Sequence, residues 1–318
     1  MMRIVDYFAG LGGFTEGARL VGARVVCAIN HSPRAVAMHA ANHPEVEHHC
    51  EDLTRFDPRR LPPFEVLVAG PACQGHSLAA GSTKRKRTKS TRTDAELAAQ
   101  WDADRATAWS VIDCAEIRRP RAIVVENVPR FLKWKLLARW LGCLEDLGYG
   151  VRVQVVNAAR YRVPQDRPRV IITAVQGRKA PAIVEPTGPD VPVRTVIEFD
   201  RGEWTRILDK VPATQARAAR GRAAFGDRFV MPYNKSGSGL TGRSLDRPLG
   251  TITNADRWAA VDGDRMRMLS LGELRACMGF RPTYQIPPQR EHATKMLGNA
   301  IVPAVAAAAL RTVMEVAA

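Results

Sequence analysis

Residues 3–13 read RIVDYFAGLGG, an apolar run that passes directly into a turn with three glycines. The β-branched and aromatic residues at 3–8 predict a strand, and residues 14–21 predict the helix that follows. Glycines in such a turn let the backbone approach a ligand and expose N–H groups at the helix start. The spacing is not that of the G-x-G-x-x-G dinucleotide fingerprint. The stretch predicts either a nucleotide-like ligand site or a tight turn without a ligand.

Strand and helix patterns alternate through the rest of the first half. Strands are predicted at residues 23–29, 64–69, 121–126, 151–157 and 170–175, and helices at 33–42 and 136–147. This alternation predicts an α/β protein whose mostly parallel sheet is covered by helices on both faces. Prolines, isolated arginines and short irregular pieces follow residue 176. We therefore predict one domain at 1–176 plus 290–318, which regains a helix at 303–316, and a small loop-rich domain at 177–289.

Composition restricts the partners and the compartment. The chain has 318 residues and a net charge of +15, which favours a polyanion such as nucleic acid, although a bias toward arginine codons gives the same excess. Its six cysteines form no C-x-x-C pair, which argues against a zinc ribbon or a disulfide scaffold and for a reducing cytosol. The sequence shows no transmembrane pattern and no signal-peptide start, so we expect no membrane partner. The scattered cysteines also lead us to expect no bound metal.

Two segments place reactive side chains just after predicted strands. Residues 68–77 read VAGPACQGHS, so Cys73 lies in a turn rather than among aliphatic residues, and position alone leaves a structural and a functional thiol equally open. Glu126, in the segment ENV, ends the strand at 121–126. A desolvated carboxyl there is a candidate acid, and a helix-capping or salt-bridged glutamate is the alternative.

Arginines and lysines are concentrated at two further places. The segment QDRPR puts Arg167 and Arg169 two residues apart on one face of a strand, where they suit an anion or a base edge. Residues 82–93, STKRKRTKSTRT, carry six basic residues and no acid. That run predicts either a solvated loop or an arm that meets phosphates, and its closeness to Cys73 favours the arm.

Taken in order, the segments FAGLGG, GPACQG, ENV, QDRPR, RPLGTIT and GNAIVPAV closely resemble the motifs of the DNA cytosine-5 methyltransferase family. The resemblance extends from residue 6 to about residue 305. It implies the S-adenosylmethionine-dependent methyltransferase fold, a Rossmann-like and mostly parallel sheet with helices on both faces, plus a small target-recognition domain. It also implies S-adenosylmethionine as the cofactor, with S-adenosylhomocysteine as its product.

The resemblance assigns catalytic roles to four residues. Cys73 matches the nucleophile that adds to C6 of cytosine, and Glu126 matches the carboxyl group that holds or protonates N3. Arg167 resembles the residue that contacts O2 of the base, and Arg169 resembles its supporting neighbour. Because C6 is inaccessible in a stacked duplex, the target base must be flipped into the pocket.

The resemblance also implies cofactor and DNA contacts. Those for the cofactor are Phe8, Gly10, Leu11, Gly13, Asn30, Asp52, Leu53, Asn299 and Ala300, with Asp52 accepting a hydrogen bond from the adenine amine. Those for DNA are Gln74, Ser77, Lys84, Arg85, Lys86, Arg87, Arg217, Arg220, Arg222, Tyr233, Asn234 and Lys235. A short recognition region can present few base contacts, so we expect a short target sequence or modest specificity.

Three residues depart from the family pattern. Asn30 stands where the family has an acidic residue near the ribose, Ala72 replaces the proline before the nucleophile, and His76 replaces an aromatic residue. The expected protein is a bacterial or phage-encoded, cytoplasmic enzyme that acts on double-stranded DNA as a monomer, with a restriction endonuclease as a further partner. An RNA (tRNA) cytosine-5 methyltransferase and a catalytically inactive DNA-binding relative are the alternatives.

Overall fold

The computed structural model describes residues 1–72, 107–233, 241–255 and 257–317. The strands in these ranges are β1 Arg3–Tyr7, β2 Arg24–Ile29, β3 Glu47–His49, β4 Val66–Ala69, β5 Ala122–Asn127, β6 Tyr149–Asn157, β7 Gln165–Asp166, β8 Pro168–Gln176, β9 Thr205–Arg206, β10 Arg228–Pro232, β11 Arg243–Ser244, β12 Leu249–Gly250, β13 Trp258–Asp262 and β14 Arg265–Met268. The helices are α1 Gly13–Leu20, α2 Pro33–Asn42, α3 Trp109–Arg118, α4 Leu137–Asp146, α5 Pro212–Phe225, α6 Leu271–Cys277, α7 Arg290–Asn299 and α8 Pro303–Ala317.

The chain divides into two compact units. The first comprises Met1–Val156, Pro168–Val184 and Val305–Ala318, and the second comprises Asn157–Arg167 and Glu185–Ala304. The sequence assigned residues 157–167 and 290–304 to the catalytic domain, whereas in the structure both segments cluster with the second unit.

The first unit is built on a mostly parallel sheet. Within the described ranges its strand order is β3-β2-β1-β4-β5-β8-β6. β1 is parallel to β2 and β4, and β5 is parallel to β4, whereas β8 runs antiparallel to β5. Every residue of β4 and β5 is buried, as expected for central strands with both faces covered. The predicted α/β architecture with a mostly parallel sheet is confirmed.

Local signals explain where the early helices begin. Gly12 precedes α1 with a left-handed φ of 87°, a conformation that glycine adopts without strain. α2 begins with Pro33 after Ser32, whose Oγ accepts a hydrogen bond from Ala35 N–H at 3.4 Å. α1 contacts β1 and β2, and α2 contacts β3, so both helices cover this end of the sheet.

The second unit is more regular than its sequence suggests. Among its described residues, β11-β10-β13-β14-β9 form an antiparallel sheet, and β12 pairs with β7 in parallel. The 14-residue helix α5 contacts β10. Its buried side is made of Thr214, Ala218 and Gly221, small residues that produce almost no hydrophobic periodicity. For this reason the expectation of a loop-rich domain missed the helix α5. It also missed the antiparallel sheet, whose strands are two to five residues long.

In the described ranges, the segment Arg290–Ala317, which contains α7 and α8, is long and apolar enough to cross a membrane by length and composition alone. However, 72% of its most apolar window is buried inside the protein, as is usual for a core helix.

The close contact between α5 and β10 gives a stability prediction. A Cβ atom on Gly221 would overlap the ring of Phe229, which is fully buried. We expect Gly221→Ala to lower the free energy of unfolding by about 1–3 kcal/mol because the core must shift to accept it. The matched control is Gly142→Ala in α4, where no atom lies within 4 Å of the added Cβ. That change should raise stability by roughly 0.5–1 kcal/mol. Denaturant unfolding of both variants checks the pair, and equal effects would contradict the packing argument.

Candidate active site and cofactor pocket

The turn after β1 is held in left-handed backbone conformations. Phe8, Gly10 and Gly12 have φ values of 61°, 56° and 87°. A non-glycine residue rarely adopts this region, so Phe8 stores strain on the order of 1–3 kcal/mol, as residues at ligand sites often do. Ala9 N–H donates to the Ile29 carbonyl oxygen at 3.1 Å, which ties the turn to the end of β2. The predicted glycine-rich turn therefore lies at the carboxyl edge of the sheet.

A shallow pocket opens beside this turn. Its lining includes Gly10 after β1, Asn30 after β2, His39 on α2 and His48 on β3. The Asn30 side-chain oxygen accepts a hydrogen bond from Ser32 N–H at 2.9 Å. The amide nitrogen of Asn30 is thus the part of the side chain suited to donate to a ligand.

Asp52 supplies a carboxylate after β3. Its Oδ1 accepts hydrogen bonds from the N–H and the hydroxyl of Thr54 at 3.0 and 2.9 Å. These bonds, the backbone one first, hold the pKa of Asp52 below its usual value, so the exposed carboxylate is ionised at neutral pH. Leu11 and Leu53 are only 1% and 4% exposed, so their side chains are buried, and their contact with the cofactor stays a prediction.

A buried ion pair joins two neighbouring strands at the same edge. Arg169 Nε, near the start of β8, lies 2.8 Å from Glu126 Oε1, near the end of β5. The two side chains are only 11% and 10% exposed. Because β5 and β8 are antiparallel, the last residues of one strand lie beside the first residues of the other. The pair gives Glu126 one firm partner and orients its carboxylate.

Side-chain hydrogen bonds fix both ends of the segment that carries the predicted nucleophile. Asn127 Nδ2 donates to the Pro71 carbonyl oxygen at 3.2 Å, and Ala72 N–H donates to Thr107 Oγ1 at 3.1 Å. Sequence reasoning missed both roles. The segment ENV contains Asn127 and could have indicated its role, whereas nothing in the sequence distinguishes Thr107 from other threonines.

Several predicted residues lie outside the described residues. They are Cys73, Gln74, His76, Ser77, Lys84, Arg85, Lys86, Arg87, Asn234 and Lys235.

Arg167 has a different environment from Arg169. It is 1% exposed, and its guanidinium donates to the carbonyl oxygens of Ile252, Gly298 and Ala300 at 2.6, 2.7 and 2.8 Å. A guanidinium engaged in this way holds the segments RPLGTIT and GNA together within the second unit. This disagrees with the expectation that Arg167 contacts the base, because its donors already serve backbone carbonyls.

The remaining predicted contacts belong to the second unit. Asn299 is exposed at the end of α7, and Ala300 is buried. Arg217 Nη1 donates to the Pro232 carbonyl oxygen at 2.7 Å, and Arg222 donates to the carbonyl oxygen of Gly263. Arg220 is exposed, and Tyr233 is half-buried. In the described part of the chain, no group of three or more His, Cys, Asp or Glu side chains could hold a metal ion.

Comparison with known proteins decides the family. A family model described as C-5 cytosine-specific DNA methylase matches residues 2–315. The chain belongs to the C-5 cytosine-specific DNA methylase family. Members of this family are methyltransferases that use S-adenosylmethionine.

Individual relatives of this C-5 methylase agree with the assignment. The type II methyltransferase M.NlaX of Neisseria lactamica is 27% identical over 317 residues, covering 97% of this chain and 95% of the relative. The type II methyltransferase M.HgiBI of Herpetosiphon aurantiacus is 30% identical over 242 residues, or 73% of this chain. The match spans about half of that relative, 49% of its length. A putative DNA modification methyltransferase encoded within an E. coli prophage has the same fold, with a TM-score of 0.70, 16% identity and 99% coverage of both chains.

The carbonyl contacts of Arg167 predict a large effect on stability. Arg167→Met should lower the free energy of unfolding by about 3–5 kcal/mol, because it leaves buried acceptors without a donor. Arg220→Ala, at an exposed position on α5 in the same unit, should change stability by roughly 0.5 kcal/mol or less. Denaturant unfolding of the full chain checks both values. A cost for Arg167→Met no larger than that for Arg220→Ala contradicts the structural role.

Proposed function

We propose that this C-5 methylase transfers a methyl group from S-adenosylmethionine to C5 of a cytosine flipped out of double-stranded DNA. The single observation that carries the proposal is the Glu126–Arg169 ion pair, 2.8 Å between Nε and Oε1, at the edge of the sheet where β4 leads toward Cys73. The match to the family model over residues 2–315 supplies the reaction class.

The residues near the turn after β1 fit the proposed cofactor. An ionised Asp52 suits the exocyclic amine of adenine, and the amide nitrogen of Asn30 suits a ribose hydroxyl. The turn with Phe8 and Gly10 allows close backbone approach, and the start of α1 presents N–H groups that suit a carboxylate. When bound, S-adenosylmethionine supplies an electrophilic methyl group on its sulfonium sulfur.

In the proposed chemistry, the thiolate of Cys73 adds to C6 of the cytosine ring, which makes C5 nucleophilic. Glu126 gives a proton to N3, so that the negative charge arising from the addition does not stay on the ring, and it takes that proton back when the S–C6 bond breaks. C5 then takes the methyl group, the C5 proton leaves to a base or water, and the S–C6 bond breaks. The aromatic ring and the Cys73 thiolate are thereby restored.

We assign the contact to O2 of the base to Arg169 rather than to Arg167. The ion pair places the Arg169 guanidinium against the carboxylate that holds N3, and N3 and O2 are neighbouring atoms on one edge of cytosine. Arg167 becomes a positioning residue, because its donors bind the carbonyls of Ile252, Gly298 and Ala300.

The function is tested with the full chain, methyl-labelled S-adenosylmethionine, and duplex DNA or tRNA as acceptor. We expect label in DNA, and bisulfite sequencing of the same DNA should give the target sequence. Cys73→Ser should reduce the rate by at least about 1,000-fold, and Glu126→Gln by roughly 100-fold. The control is Cys143→Ser, a partly buried thiol on α4 that has no role in the proposed site.

The other outcomes separate the alternatives. Label in tRNA but not in DNA would establish the RNA methyltransferase. DNA binding with label in neither acceptor would establish an inactive DNA-binding relative. A covalent adduct with 5-fluorocytosine DNA that persists in Cys73→Ser would falsify the assigned nucleophile.

A further inference from the structure

A series of four polar side chains begins at Asp6 on β1, just before the glycine-rich turn. Thr15 Oγ1 lies 3.0 Å from Asp6 Oδ2 and 3.0 Å from His39 Nε2. His39 Nδ1 lies 2.8 Å from His48 Nε2, and a ring N–H of His48 donates to the backbone of Val46. Asp6 is fully buried, and Thr15 and His39 are 5% and 1% exposed. Four side chains on four elements thus form one continuous series of hydrogen bonds.

The protons in this series run in one direction. The Val46 carbonyl can only accept, so Nδ1 of His48 must carry the proton, and Nε2 of a neutral His48 must accept from His39. Nε2 of a neutral His39 then accepts from the Thr15 hydroxyl. The hydroxyl has a single proton, so the 3.0 Å contact with Asp6 requires a donor on Asp6. The series is complete only if Asp6 is a protonated carboxylic acid.

Burial agrees with this proton count. It lowers the pKa of His39 to about 2 and also lowers the pKa of His48, so both rings are neutral at physiological pH. Burial raises the pKa of Asp6 to about 7. The second oxygen of Asp6 has no hydrogen-bond partner among the described residues, an arrangement that costs far more for a carboxylate than for a neutral acid.

The far end of the series is the wall of the cofactor pocket. His39 and His48 line that pocket together with Gly10 and Asn30. Asp6 lies four residues before Gly10 on the strand that leads into the turn. A change in the hydrogen bonds of either ring therefore reaches the surface on which the ligand would rest.

Resting on the proposed function, we propose that Thr15, His39 and His48 are positioning residues of the cofactor pocket. Their one-directional hydrogen bonds hold Asp6 as a neutral acid and hold the two imidazole rings as an uncharged polar wall beside Asn30. Because both nitrogens of each ring are engaged within the series, the wall carries no charge and leaves the polar contact with a ribose hydroxyl to the Asn30 amide.

Further titratable or charged groups surround the series. They lie on α1, on β2, at the end of α2 and on β3 or just before it: Glu16, Arg19, Cys27, His43, Glu45, Glu47 and His49. The His43 ring is the near neighbour of His39, with 4.8 Å between ring centroids, and lies 3.9 Å from the Glu16 carboxylate.

Loss of the Asp6 proton reverses the series. The Thr15 hydroxyl must then donate to Asp6, both imidazoles must change tautomer, and His48 loses its bond to Val46. We expect the Kd for S-adenosylhomocysteine to rise roughly fivefold between pH 6 and pH 8.5, the effect of about one lost hydrogen bond. Asp6→Asn keeps a permanent donor toward Thr15, so its Kd should not vary over this range. Isothermal titration of the full chain with S-adenosylhomocysteine measures both profiles.

Two further variants sharpen the binding test. Thr15→Val removes both hydrogen bonds of the hydroxyl at similar volume, and should weaken binding at pH 6 while abolishing the pH dependence. Asp52→Asn should weaken binding at every pH and keep the pH dependence, because Asp52 lies outside the series. The proposal is overturned by a flat profile for the unmodified protein, or by an Asp6→Asn profile with the same slope. It is also overturned if Asp6→Asn weakens binding more than about tenfold at pH 6, since Asp6 would then act as an anion.

Thermal unfolding provides a readout that does not depend on the cofactor. The pKa of Asp6 is raised from 3.8 to about 7, so its contribution to stability is complete below pH 4 and is lost as the pH rises through 7. Asp6→Asn has no carboxyl proton to lose. The Tm of the variant minus the Tm of the unmodified protein should therefore increase between pH 4 and pH 8. A constant difference in Tm overturns the proposal. If no protein binds S-adenosylhomocysteine at any pH, the proposed function fails, while the Tm difference still decides whether Asp6 carries the proton.

Discussion

Parallel pairing of β1 with β2 and β4, and of β4 with β5, is the constraint on which the site depends. Parallel strands finish at one edge of a sheet, so the chain leaves Tyr7, Ile29, Ala69 and Asn127 on the same side. That pairing places the glycine-rich turn of the proposed cofactor pocket, the end of β4 and the Glu126 carboxylate at one edge. Antiparallel β8 then brings Arg169 to the same edge at its beginning rather than at its end.

Within the second unit, a comparable organising role belongs to the Arg167 guanidinium. It donates to the carbonyl oxygens of Ile252, Gly298 and Ala300, which lie 85, 131 and 133 residues further along the chain. Gly298 is required at this place, because a Cβ there would overlap the backbone of Thr253. A segment that resembles a reaction signature can therefore contain a residue whose contacts are structural, as Arg167 in QDRPR shows.

Sequence patterns predicted the first unit closely because its strands are short apolar runs between turn residues. The predicted strand at 23–29 is Arg24–Ile29, and the predicted helix at 33–42 is α2 itself. The second unit was less predictable, since β14 offers only the four residues RMRM and the alanine- and arginine-rich α5 carries little apolar periodicity. At the site, the edge position of Glu126 could be inferred from its strand. The separate environments of Arg167 and Arg169 could not, because alternation on a strand places both on one face and says nothing of their partners.

The hydrogen bond from Ala72 N–H to Thr107 Oγ1 has a consequence for how such proteins can diversify. It fastens the residues after β4 to the residues just before α3, so Ala72 and Thr107 are neighbours in space although they are 35 residues apart in sequence. The entropic cost of closing a loop grows only with the logarithm of its length once its ends are fixed. A change in the number of residues between Ala72 and Thr107 therefore costs the fold little free energy, so the length of that part of the sequence is free to vary.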